Sequence, residues 1–203
     1  MKKILGVAFF LFAMGTTVFA QDNAIGVGAM YNNANTFGTL DQAGFYQESG
    51  LNGKSNWAMN RNGLGGFVFF GARFFELNLG VLWKNPNGIN IDGEKNTNEY
   101  SQLFETFAFQ AGIYLKRPFN LSEKFVLFPT IGADFEYTVD INDEWWHDIW
   151  ARAGIGLDFF FADSFFLRGQ ALYGAAFPIG GADGLSARIS HGLLAKVGIG
   201  WMF

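Results

Sequence analysis

From Lys196 to Phe203 the sequence reads Lys-Val-Gly-Ile-Gly-Trp-Met-Phe, a two-residue alternation that ends on an aromatic side chain. In an extended strand Val197, Ile199, Trp201 and Phe203 share one face, while Lys196, Gly198, Gly200 and Met202 share the other. The first face suits hydrocarbon and the second a narrow interior with little room for side chains. A helical period would mix the two sets, so the segment points to a sheet with different solvents on its two sides.

The same alternation recurs upstream. Phe75, Leu77, Leu79, Val81 and Trp83 oppose Glu76, Asn78, Gly80, Leu82 and Lys84, and a slip of one residue would place Glu76 and Lys84 in the apolar phase. Ile131, Ala133, Phe135 and Tyr137 oppose Gly132, Asp134, Glu136 and Thr138. Ala153, Ile155, Leu157 and Phe159 oppose Arg152, Gly154, Gly156 and Asp158, and Arg168 and Gln170 share the polar face of the next segment. Only Gly65-Gly66-Phe67-Val68-Phe69-Phe70 gives no phase, because apolar residues occupy both registers.

Eight strands are expected, at 24–31, 63–71, 74–84, 103–116, 125–139, 149–161, 165–177 and 191–203. Most reach the roughly 9 to 11 residues that a tilted strand needs to cross a bilayer. Connections alternate in length. Ala72-Arg73, Arg117 to Lys124 and Ala162-Asp163-Ser164 are tight turns, whereas 32–62, 85–102, 140–148 and 178–190 are longer and polar. The reading is all-β: an eight-stranded antiparallel up-and-down transmembrane β-barrel with both ends on the short-turn side. Pro129 falls inside the fifth strand and predicts a bulge or a strand end there, since proline donates nothing to the ladder.

Residues 1–20 differ from the rest. Lys2 and Lys3 precede an apolar run from Ile4 to Ala13, and Val18-Phe19-Ala20 offers a cleavage site, the pattern of a secretory signal peptide. The expected domains are therefore a signal peptide at 1–20 and one barrel at 21–203, with no linker or second domain. Cleavage removes two of the 14 bases and leaves all 18 acids, a balance of −6 that argues against nucleic acid as a partner. With no cysteine there is neither a disulfide nor a lipidation site after the signal, so anchoring falls to the fold. The 25 Phe and 27 Gly recur in every segment, as in a sheet wetted by lipid outside and packed against itself inside.

Collecting the inward charges gives Glu76, Asp134, Glu136 and Asp158 against Lys116, Arg152, Arg168 and Lys196. An eight-stranded barrel has room only for side chains, so these groups are expected to pair with one another and close the lumen. Inward Gly26, Gly28, Gly80, Gly112, Gly132, Gly154, Gly156, Gly198 and Gly200 relieve the crowding. Aromatic residues sort into two girdles. Phe75, Phe125, Phe159, Phe161, Phe165, Trp201 and Phe203 lie toward the short turns, and Tyr31, Trp83, Phe107, Tyr137, Trp150, Tyr173 and Phe177 toward the long loops.

His147 and His191 are the two histidines and fall at the loop rim, near Asp143, Glu144, Asp148 and Ser190. No nucleophile motif and no metal-ligand spacing accompanies them, so they read as solvated rim residues, with no catalysis, metal or cofactor expected. Trp145-Trp146 reads either as an exposed loop contact for a partner or as an insertion into the lipid interface beside Trp150.

The chain resembles the small eight-stranded outer-membrane barrels of the OmpA transmembrane-domain and OmpX type over essentially its whole processed length. Its closing segment, with Lys196, Gly198, Trp201 and Phe203, looks like the signal read by the barrel-assembly machinery. The resemblance implies an integral protein of the outer membrane of a two-membrane bacterium, whose partners are lipid, the assembly machinery and an extracellular ligand at the loops. It lacks the peptidoglycan-binding domain that follows the barrel in full-length OmpA, so no cell-wall tether is implied. The expected function is structural or surface-interacting, with a narrow solute channel as the alternative and a rim enzyme behind it.

Overall fold

A computed structural model describes residues 23–41, 54–91, 94–96, 105–140, 145–181 and 185–203. The expected signal peptide lies outside the described residues. Eight long strands, β1 (Ala24–Asp41), β2 (Lys54–Ala72), β3 (Phe75–Ile91), β5 (Thr106–Lys116), β7 (Phe125–Asp140), β8 (Trp145–Phe160), β9 (Phe165–Gly181) and β10 (Leu185–Met202), are joined by the short pieces β4 (Glu94–Asn96) and β6 (Phe119–Asn120). Each long strand pairs antiparallel with its chain neighbours, and β1 pairs with β10 from Ala24↔Met202 upward, which closes the barrel.

The register fixes the barrel's dimensions. Following partners from Gly26 through Phe69, Asn78, Gly112, Asp134, Trp150, Ala176 and Ser190 returns to β1 at Thr36, ten residues above the start. With eight strands, that stagger tilts the strands by about 40° and gives a backbone cylinder of about 8 Å radius. A cylinder so narrow is filled by the side chains of its own wall.

Alternation sorts the faces as the sequence predicts. Val27, Leu79, Val81, Ile113, Ile131, Ile155, Val197 and Ile199 are exposed on the outside, while Glu76, Asp134, Glu136, Arg152, Asp158, Arg168 and Lys196 are buried inside. The undecided phase of β2 resolves with Phe67 and Phe69 inward and Val68 and Phe70 outward. The deciding residues lie on the next strand. Gly28 and Gly26 stand opposite Phe67 and Phe69, and a Cβ on Gly26 would come within 2.3 Å of the Phe69 ring. Gly156 makes the same accommodation for Phe128, and Gly200 for Phe166. Ring-over-glycine pairs of this kind let a small barrel hold aromatics in its lumen.

At one end the strands run further than expected. Residues 32–41 and 54–62, read from sequence as loop, continue β1 and β2 as a paired hairpin. Alternating apolar character stops there, but backbone pairing does not, because outward asparagines form a cross-strand amide ladder. Tyr31 Oη donates to Asn62 Oδ1 at 2.8 Å, Asn33 Nδ2 to the same oxygen at 2.7 Å, and Asn60 Nδ2 to Asn35 Oδ1 at 2.8 Å. The β1/β10, β2/β3 and β8/β9 register shifts, at Phe37/Thr39, Asn60/Arg61 and His147/Asp148, all fall at this long-loop end.

Pro129 causes no register shift between β7 and β8. Its carbonyl accepts from Arg117 N at 3.1 Å on the β5 side, so its missing N–H faces the gap between the end of β5 at Lys116↔Thr130 and the start of β6 at Phe119↔Leu127. The proline thus sits where a neighbouring strand ends, and β7 itself stays regular.

Candidate functional site: the barred lumen

The interior is organised in three tiers, each crossed by a contact between diametrically opposite strands. In the closed order β1-β2-β3-β5-β7-β8-β9-β10, the opposite pairs are β3 with β9, β5 with β10, and β2 with β8.

The tier nearest the short turns centres on Arg168 of β9. Its Nε and Nη2 grip both oxygens of Asp158 at 2.7 Å, and Nη1 reaches across the lumen to Glu76 of β3. Lys116 Nζ meets the same Glu76 carboxylate at 3.4 Å. The guanidinium also lies 4.5 Å from the Phe69 ring centroid and 5.0 Å from those of Phe128 and Phe166. Three of the four phenylalanine rings that inward glycines accommodate therefore form a cage around the central cation, with cation–π attraction added to the two ion pairs.

In the middle tier Arg152 Nε donates to Asp134 Oδ2 at 2.7 Å, and the Tyr114 hydroxyl donates to the same oxygen. The bar here is Lys196 of β10, whose Nζ lies 4.6 Å from the ring centroid of Tyr114 on β5 and 5.5 Å from that of Phe67. Lys196 was expected to be part of the ion-pair network. It is buried as expected, but it makes no salt bridge with any described residue and packs on aromatic faces, because Arg152 and Tyr114 already hold the one carboxylate of that tier.

The tier nearest the long loops contains Lys84 paired with Glu136, and Arg188 Nη2 with Asp148 Oδ1 at 2.9 Å. Its bar joins β2 to β8: the Arg61 guanidinium lies over the Trp146 ring at 5.6 Å, with Arg188 at 5.3 Å. Sequence reading placed Lys84 on the inward face without counting it among the paired charges, and missed Arg61, Asp148 and Arg188 because their segments were taken as loop. The signal was present as parity, since Asp148 lies two and four residues from inward Trp150 and Arg152, and Arg188 lies two from inward Ser190.

Removing one partner of a buried ion pair strands a charge at a cost of about 3–5 kcal/mol. Most of these lumen charges are held by one another. With the cross-section spanned three times, the interior is a polar core.

Three aromatic expectations are corrected by strand alternation. Trp145 and Trp146 are the first residues of β8 and face opposite ways, Trp145 outward and exposed, Trp146 into the lumen, so the pair forms no joint contact patch. Trp150, expected in the outer girdle, is buried inside with the Arg152 guanidinium 4.1 Å from its ring centroid. His147 and His191 are strand residues on the outer wall and not solvated loop residues. His147 packs between the rings of Phe135, Tyr137 and Trp145, and His191 stacks on Phe37 and accepts or donates to Tyr173 Oη at 2.6 Å through Nδ1. Asp148 and Ser190, their sequence neighbours, point inward to Arg188 and Thr36. Adjacent residues of a strand occupy opposite faces, so His147 does not meet Asp148 and His191 does not meet Ser190. Asp143 and Glu144 lie outside the described residues.

The outer wall carries a continuous apolar surface between the two aromatic rows, and such a wall is stable only against acyl chains. No protein-family model matches the chain, and no curated protein is detectably similar in sequence. Solved structures do match by shape. The outer membrane protein OprG from Pseudomonas aeruginosa aligns over 91% of this chain and 96% of its own at 14% identity, with a TM-score of 0.50. This chain has the fold of an eight-stranded outer-membrane barrel. The neisserial surface protein A (NspA) covers 87% of this chain and 97% of its own at 9% identity and a TM-score of 0.44. Ail, the attachment invasion locus protein of Yersinia pestis, covers 90% and 99% at 13% identity and 0.43. Identities this low are consistent with a barrel defined by its alternation and closure, which many sequences satisfy.

Proposed function

We propose that this outer-membrane barrel is a surface-interaction protein: a closed, non-conducting cylinder that holds β-hairpins above the outer leaflet for contact with macromolecules outside the cell. The observation that carries this reading is the β1–β2 hairpin, which stays paired from Tyr31↔Leu64 to Asp41↔Lys54, ten residues of β1 beyond Tyr31. Its outer face changes from Ile25, Val27 and Tyr31 to the amides of Asn33 and Asn35, beyond which the one outward aromatic of the β1 extension, Phe37, is stacked on His191. A rigid, hydrogen-bonded projection loses less entropy on binding than a floppy loop of equal length.

On this reading Lys196, Gly198, Trp201 and Phe203 serve assembly, and the short turns face the periplasm. No role is assigned to catalysis.

Two measurements test the proposal. Asn35→Cys should react with a membrane-impermeant maleimide in intact cells while Arg73→Cys in the β2–β3 turn should not; the reverse pattern would overturn the orientation. Cells whose barrel has residues 37–58 replaced by an Asn-Gly turn should attach to immobilised matrix glycoproteins several-fold less than cells with the full hairpin. Equal attachment by full-length, shortened and barrel-free cells would overturn the surface role.

A further inference from the structure

The middle tier of the lumen does not balance. Across the described interior, Arg61, Lys84, Lys116, Arg152, Arg168, Arg188 and Lys196 face only Glu76, Asp134, Glu136, Asp148 and Asp158. The tier at the short turns is neutral, with two acids and two bases. The tier at the long loops has one surplus cation, Arg61, beside the mouth and over the Trp146 ring. In the middle, Arg152 and Lys196 share the single carboxylate of Asp134, and here the surplus is sealed in between the other two tiers.

The unmatched donors share one tier. Lys196 Nζ, Arg152 Nη1 and Nη2, and Gln170 Nε2 have no hydrogen-bond partner among the described residues, against two acceptor atoms of the tier that also have none, Asp134 Oδ1 and Gln170 Oε1; the three donor side chains are at least nine-tenths buried. Lys196 and Gln170 are direct register partners on β10 and β9. Arg152 is tied to the same chamber through Asp134 and Tyr114, whose ring lies beneath Lys196 Nζ. Around them stand apolar Met30, Phe67, Leu172 and Leu194. Buried donors that outnumber the free acceptors, in a chamber with one uncompensated positive charge, make an anion site. The apolar walls select against strongly hydrated, multivalent oxyanions, because these give up more hydration on entering and find too few donors in return.

We infer that the middle tier binds one small monovalent anion of halide size, held by Lys196 Nζ, the Nη atoms of Arg152 and the Gln170 amide. The bars above and below close the chamber, so the anion enters as the barrel folds and exchanges slowly afterwards. It completes the core electrostatically, as a structural ion does in other folds.

The probe is bromide. Protein refolded into detergent from urea with sodium bromide as the only halide, then crystallised, should show an anomalous peak within hydrogen-bonding reach of Lys196 Nζ and Arg152, and Lys196→Met should lose that peak. Density with no anomalous signal at that place would be water and would overturn the inference. A second readout covers a variant that fails to crystallise. Wild type refolded in gluconate, which is too large to enter, should melt below wild type refolded in chloride at equal ionic strength. Lys196→Met and Gln170→Leu should narrow that gap. An equal midpoint for wild type in the two salts would also overturn the inference.

Discussion

At the residue scale, the inside of this protein turns on a few residues whose neighbours permit no alternative. Arg168 is held by two carboxylates and three phenyl rings, and each ring occupies space that a glycine leaves open on the adjacent strand. Arg168→Met keeps the volume and removes the charge, so Glu76 and Asp158 lose their main partner in a low-dielectric interior. The expected cost is about 3–5 kcal/mol by urea unfolding in phospholipid vesicles. Neutralising both acids in the same background, with Glu76→Gln and Asp158→Asn, should recover most of that loss. A single-variant cost near zero would mean that water already screens the tier. Gly156→Val tests the steric side. A Cβ at Gly156 falls 2.2 Å from the Phe128 ring, and the expected penalty of about 1–3 kcal/mol should shrink when Phe128 is shortened to Leu.

At the scale of the element, one strand carries four tasks in consecutive residues. β8 presents Trp145 to the outside of the barrel, turns Trp146 under two guanidinium groups, places His147 among outward aromatics, and pairs Asp148 with Arg188 inside. Variants retaining a single tryptophan separate these environments. Trp145 fluorescence should be quenched several-fold more than Trp146 fluorescence by lipids brominated on the acyl chain near the headgroup. Similar quenching of the two would mean that this end of β8 is not in strand alternation. The same element shows how far the sequence could be read. Arg152, Asp158 and the outward Ala153, Ile155 and Leu157 gave its phase directly, but the first four residues looked like loop because Trp, His and Asp carry no alternating hydropathy there. Extending the known parity backwards would have placed Asp148 and Trp150 in the lumen.

At the scale of the whole molecule, eight strands and a ten-residue stagger set a radius that side chains fill, and three transverse bars follow from where long polar residues stand on opposite walls. On the proposed reading the barrel does not conduct. Refolded into planar bilayers at neutral pH, it should give a flat current trace at ordinary holding voltages, and regular unitary steps would show that the bars move. The outside of the same cylinder is apolar, so the protein should stay monodisperse only with detergent or lipid.

The sequence by itself determined the all-β class, the number of long strands, the inward and outward faces of most strands, the membrane environment and most of the buried charges. All of these follow from a period of two and from the cost of placing charge in hydrocarbon. Tertiary structure decided what depends on more than one strand. The phase of β2 needed Gly26 and Gly28 across the ladder; the fate of Lys196 needed Tyr114 on the opposite wall; the length of the β1–β2 hairpin needed asparagine amides meeting across it. A strand's own residues report its two faces. Which side chains meet inside is set by stagger and closure, quantities that no single segment contains.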